Sequence, residues 1–209
     1  MQTANLQRPQ PPAELFNVKS PPFMPAPELE AWMRKTFLDE ESPLWNPEHS
    51  HLKRAKLGVL WSGVPLSVRG ARAAAFASFP DGMGSKFDRQ LREMQMSAFF
   101  GKMPDFLLVF DARIAVESSD RTFCRRANHE LTHCGHKKDK FGVPLYNKKP
   151  FRPKFYLRPH DREVFDSDIR LFGARAALGD AVDVILRAER MPEFSDDEIA
   201  MMCGTCAVR

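Results

Sequence analysis

Within "ANHELTHCGH", residues 127–136, His129, Glu130 and His133 stand in the order His-Glu-x-x-His. On a helix, side chains four apart share a face, because one turn advances 3.6 residues. His129 and His133 then reach a single zinc ion at bond lengths of about 2.0–2.1 Å. Glu130 projects about 100° further round the helix, near enough to touch a water on that ion while leaving coordination to the imidazoles. Zinc brings the pKa of such a water toward about 7, and the carboxylate takes its proton as the oxygen attacks a carbonyl. Two ligands and one general base are the reading of these three residues. A pair of surface histidines on a polar helix face is the competing reading. The position of the motif speaks against it, after a strong strand and away from the apolar stripe of its own helix.

A catalytic zinc takes a third protein ligand and keeps one position open. His136 follows too closely, beyond Gly135, and would have to fold back sharply. Asp139, in "HKKDKFG", reads as a turn residue. His160, in "YLRPHDREVF", lies 27 residues after His133, behind a proline that stiffens the approach, and is the preferred third ligand. Glu163, three residues further on, is the fallback. Tyr146 and Tyr156, the two tyrosines, both fall between the motif and His160. Each either packs or donates to the oxyanion that forms when a carbonyl is attacked.

These residues must be held by a scaffold, and the sequence predicts much of it. "SSDRTFCRRANHELTHCG" carries helix-start residues at Ser118 to Asp120 and a glycine stop at Gly135, with Phe123, Ala127 and Leu131 on one apolar stripe. Cys124 and Cys134 lie near that stripe and read as core residues. "PDFLLVFDARIAV" is the clearest strand, and "AKLGVLWSG" and "ARAAAFASF" read as two more, joined by the turn "VPLSVRG", although the alanines of the second suit a helix equally well. A helix is expected from Lys86 to about Phe99. In "PELEAWMRKTF" a helix starting at Pro27 puts Leu29, Trp32, Met33 and Phe37 on one face. "ESPLWNPEHSHLK" is loop-like. "KFGVPLYN" and "KFYLRP" are short loop or strand pieces. A long helix starts near Asp161, and a last short one at Ser195 with a capping box to Glu198.

Residues 1–26 hold six of the seventeen prolines and read as a flexible extended arm. The domain proper is expected over 27–194, and 195–209 forms a short helix and a frayed tail in which Cys203 and Cys206 read as two free thiols; one Cys-x-x-Cys supplies only half of a tetrahedral site, which leaves zinc shared between chains or redox chemistry as the alternatives. At 209 residues, 43% hydrophobic and 28% charged, the chain suits one globular domain with a buried core. No apolar run reaches the roughly 18–20 residues of a membrane helix, and the first thirty residues lack the apolar segment of a signal peptide. The expected location is therefore intracellular, in the cytoplasm. Net charge is +4, yet twelve Lys or Arg fall between Arg121 and Arg162. That basic segment is either a solvated face or a surface for an anionic partner such as nucleic acid.

His-Glu-Leu-x-His on a helix after a strand, followed by His-Asp-x-x-x-Phe opening another, resembles the compact zincin metallopeptidases. The chain looks most like the SprT-like and WLM groups and the phage metallopeptidase family, over roughly Pro104 to Gly173. The resemblance implies an α+β fold in which a short, mostly antiparallel sheet packs on an active-site helix and a C-terminal helix. It implies zinc as cofactor, His129, His133 and His160 as ligands, Glu130 as catalytic base, and a protein or peptide substrate. For a phage-encoded chain the location is the host cytoplasm. The SprT-like and WLM groups cleave proteins bound to DNA, and their complete zinc ribbon has no counterpart here. The alternative is a zinc-stabilised module that binds nucleic acid or protein without catalysis. Glu130 separates the two, because a structural site with four protein ligands has no use for a non-ligating carboxylate beside the first histidine.

Overall fold

Apolar periodicity and capping residues account for most elements of the chain. The computed structural model describes residues 8–17, 21–68, 70–81, 84–148, 152–161, 169–170, 173–190, 195 and 198. In chain order, strand β1 (Phe23–Pro25) leads into helix α1 (Pro27–Met33), which has proline in its first turn, where a missing N–H costs nothing. A π turn (Arg34–Leu38) prolongs α1, so that Leu29, Trp32, Met33 and Phe37 all reach the core. Pro47–Lys53 is a 3-10 segment capped by Asn46, whose side chain accepts from the Glu48 N–H, where the sequence reads as loop. β2 (Leu57–Ser62) is buried along its whole length. A small hairpin of β3 (Leu66–Val68) and β4 (Ala71–Ala73) stands where a plain turn is expected, and β5 (Ala75–Ser78) follows.

Helix α2 (Lys86–Phe100) starts at a reciprocal capping box between Ser85 and Asp88. β6 (Phe106–Asp111) ends sooner than its apolar sequence predicts. The Asp111 carboxylate accepts from the N–H groups of Arg113 and Ile114 and so starts helix α3 (Ala112–Glu117), leaving "ARIAV" helical. Ser119 caps α4 (Asp120–His133). Gly135 does not stop that helix. The chain passes directly into β7 (Cys134–His136), which pairs antiparallel with β8 (Phe155–Leu157). Two short helices follow, α5 (Ala174–Leu178) and α6 (Ala181–Arg190), and neither has a buried residue.

The architecture is α+β. Four strands run in the order β1-β2-β6-β5, with β2 and β6 parallel and the two edge pairs antiparallel. Two of three pairings are antiparallel, as expected. The sheet packs on α1 and α4 through an aromatic cluster in which the ring centroids of Trp32, Trp61 and Phe110 lie 5.6–6.1 Å from that of Phe123 on α4. On the other side, α2 sits close at Gly58, where a Cβ would come within 2.9 Å of both Phe100 and Pro104.

The reading of residues 1–26 as a free arm is corrected for its described parts. β1 pairs with β2, Leu15 and Ala26 are buried, and Arg8 is buried against the start of α4. The Arg8 guanidinium pairs with Asp120 at 3.0 Å, donates to the carbonyls of Ala115 and Ser118 at 3.2 Å each, and lies 4.6 Å from the Phe123 ring centre. Prolines suit this role, because an edge strand and extended chain need few N–H donors. Glu163, Cys203 and Cys206 lie outside the described residues.

Candidate metal centre

α4 turns its apolar stripe of Phe123, Ala127 and Leu131 into the core, which leaves His129 and His133 on the open side. Their Nε2 atoms are 3.1 Å apart. His160 arrives by a different route. β7 and β8 pair Cys134 with Leu157, and the Arg158 N–H donates to the His133 carbonyl at 2.8 Å, so the returning chain is laid against the end of α4. Three residues beyond β8, the Nε2 of His160 is 3.2 Å from that of His129. The three imidazoles form a group able to hold a metal ion, one ligand nitrogen from each lying within 4.8 Å of the other two. Bonds of about 2.0 Å in a tetrahedron separate the donors by roughly 3.3 Å, so the observed separations suit such an ion.

Hydrogen bonding sets the tautomer of His133. Its Nδ1 lies 2.6 Å from the carbonyl oxygen of Arg158; as donor, it leaves Nε2 with a free lone pair toward the cluster. Partial burial, and then the neighbouring His133 and His160, push the His129 pKa below its ordinary value, which favours the neutral form a ligand must have. The three rings border a cavity of about 240 Å³, which Thr132, Arg158 and Asp161 also line.

Glu130 leaves the helix on the side of β5. It is buried, at 5% exposure, and burial raises its pKa above the usual carboxylate range, opposed by His133, the N–H of Ala77 and Arg126. The Ala77 N–H faces away from β6 because the even-numbered residues of β5 serve that ladder, as the bond from Asp111 N–H to the Ala74 carbonyl illustrates. Glu130 thus lies buried on the β5 side of α4, with His133 close enough to act on its charge.

The rejected candidates are also accounted for. His136 is buried in β7, with Nε2 2.8 Å from the Leu145 carbonyl oxygen, and takes no part in the cluster. Asp139 is a turn residue, its carboxylate accepting from the N–H groups of Phe141 and Val143. Tyr146 packs edge-on to His136, and the Tyr156 ring lies against the Gly135 backbone, so neither lines the histidine cavity.

Sequence reasoning missed Arg158 and the segment from Asn46 to His51. The Arg158 guanidinium bridges Glu48 at 2.7 Å and Asp161 at 2.6 Å, while its backbone holds His133. Asn46 donates to Asn128 of α4, His49 meets Thr132 at 3.3 Å, and His51 Nε2 lies 2.6 Å from the Cys134 carbonyl oxygen. This segment thus runs alongside the histidine helix. Among the described residues, no helix is long and apolar enough to cross a membrane.

A family model described as "Putative phage metallopeptidase" matches residues 30–189. No curated protein and no solved structure matches the chain.

Proposed function

Because that match spans well over half of the chain, the protein belongs to the putative phage metallopeptidase family, and on this premise we propose that it is a zinc-dependent peptidase with His129, His133 and His160 as ligands and Glu130 as general base. The convergence of three imidazole nitrogens beside a buried, non-ligating carboxylate is the observation that carries the reading. Zinc held there supplies Lewis-acid polarisation of the scissile carbonyl and acidifies water, toward a pKa of about 7.

The chain's own residues do the rest. Glu130 takes a proton from the attacking water and passes it to the leaving amine. Burial and the Ala77 N–H fix its orientation. The Arg158 carbonyl keeps His133 in the tautomer a ligand needs, and the β7–β8 pairing holds His160 in reach. Arg158 itself borders the cavity with a cation, a group able to stabilise developing negative charge.

The test is Glu130→Gln, which keeps shape and removes basicity. Purified from zinc-supplemented growth, the variant should fold, keep about one equivalent of zinc as the parent does, and lose casein-cleaving activity by about 10²–10⁴-fold. His129→Ala should lose the zinc. Full activity in Glu130→Gln, or full zinc retention in His129→Ala, would overturn the mechanism.

A further inference from the structure

A larger cavity, about 700 Å³, adjoins the histidine cluster, and Thr132 and Arg158 line both. Its volume falls in the range of about 300–1,000 Å³ that accommodates ligands. The floor is β7, with His136 buried in it, and the 3-10 segment that carries Glu48, His49 and His51 supplies one wall. Lys137 and Lys138 stand exposed at its rim, and Arg158 stands between it and the metal ligands. The one carboxylate of the lining, Glu48, is already paired with Arg158 at 2.7 Å. The lining therefore carries two lysines beyond what its own acid neutralises, next to the position where a peptide bond would be cut.

From this charge imbalance and connection we infer that the cavity is a substrate subsite for an acidic side chain, Asp or Glu, of the peptide being cleaved. The inference rests on the peptidase reading for the nature of the polymer. Opposite charge at a rim steers and selects more than it tightens, so the lysines attract the segment and Arg158, by exchanging Glu48 for the incoming carboxylate, seats it. A nucleic acid fits the same charge less well. Stretches that bind single strands interleave cations with several stacking rings, and the one non-histidine ring here, Tyr156, is seated on Gly135.

The experiment measures binding, apart from cleavage. Fluorescein-labelled hexaglutamate, hexaglutamine and a single-stranded hexanucleotide are titrated against the full-length Glu130→Gln protein at low ionic strength, with and without chelator. Hexaglutamate should bind at least about tenfold more tightly than hexaglutamine, and the preference should survive chelation, because the lysines need no metal. Lys137→Glu with Lys138→Glu should abolish it. The same two-charge reversal at Lys86 and Arg89, on α2, should change little. Glu48→Gln, which removes the competing carboxylate, should strengthen hexaglutamate binding. Equal affinity for the two peptides would overturn the subsite, as would equal loss from the α2 reversal or weaker binding by Glu48→Gln. Tighter binding of the hexanucleotide that depends on Lys137 and Lys138 would reassign the cavity to nucleic acid. A peptide preference that persists in a protein unable to hold zinc would leave the subsite standing even where the peptidase reading falls.

Discussion

Arg8→Ala should destabilise the protein well beyond what its place near the N-terminus suggests. The side chain is 5% exposed and that of its partner Asp120 6%, so little solvent screens the pair. Truncation leaves the Asp120 carboxylate buried without this cation, removes the donors to Ala115 and Ser118, and strips the guanidinium from the Phe123 face. Breaking a buried ion pair from one side costs about 3–5 kcal/mol. In a chain of this length each kcal/mol moves the melting temperature by about 2–4 °C, so a fall of roughly 6–20 °C is expected. Thermal unfolding followed by circular dichroism at pH 7 reads it directly. The double variant Arg8→Met, Asp120→Asn should recover most of the loss, because the cost comes from a buried carboxylate deprived of this cation more than from the missing attraction. A shift under about 2 °C for Arg8→Ala would mean that residues around Arg8 do not clamp α4 in solution, and the reasoning would fail.

Buried His49, its pKa lowered to about 4 mainly by desolvation, should make stability pH-dependent. Between pH 6.5 and about 4 the unfolded chain binds a proton that the folded chain refuses, so stability falls as pH falls, by about 3 kcal/mol in all. His49→Gln should flatten that part of the profile in denaturant titrations, and an unchanged slope would show that His49 is not buried neutral. Gly135→Ala would put a Cβ 2.5 Å from the Tyr156 ring, forcing the ring or β8 away from β7. Since β8 delivers His160, zinc affinity measured by chelator competition should drop by the about 10–100-fold seen when groups that orient ligands are lost; undiminished affinity would count against the β7–β8 pairing as the device that sets the third ligand.

What the sequence made legible is what local spacing controls. The stripe of Phe123, Ala127 and Leu131 fixes which way α4 faces, and so where His129 and His133 point, before any other element is known. β2, β6 and α2 were readable for the same reason, being apolar runs or capped helices. The end of β6 was misplaced because Asp111 acts through its side chain as a helix cap, and apolar content alone does not register that. The packing of residues 8–17 and 21–26 escaped because proline content says that a segment is extended, and an extended segment can equally be an edge strand. Arg158 and His49 gave no signal at all. Their partners are distant, Glu48 lying 110 positions from Arg158 and Thr132 lying 83 from His49, and such contacts carry no periodicity.

The direct passage of α4 into β7 has a consequence for how related chains can vary. The register of Cys134 with Leu157 and the bond from Arg158 to His133 place His160 by strand pairing, whatever the length of chain between Lys137 and Lys154. Insertions or deletions around the Asp139–Gly142 turn would lengthen or shorten an excursion that leaves and re-enters at two fixed points. The 27-residue interval from His133 to His160 is thus not what sets the centre, and a search pattern that demanded it would pass over any relative with the same centre and a longer or shorter excursion. The same tolerance makes the turn a natural insertion point for a reporter peptide, carried on the outside of a hairpin whose base stays clasped.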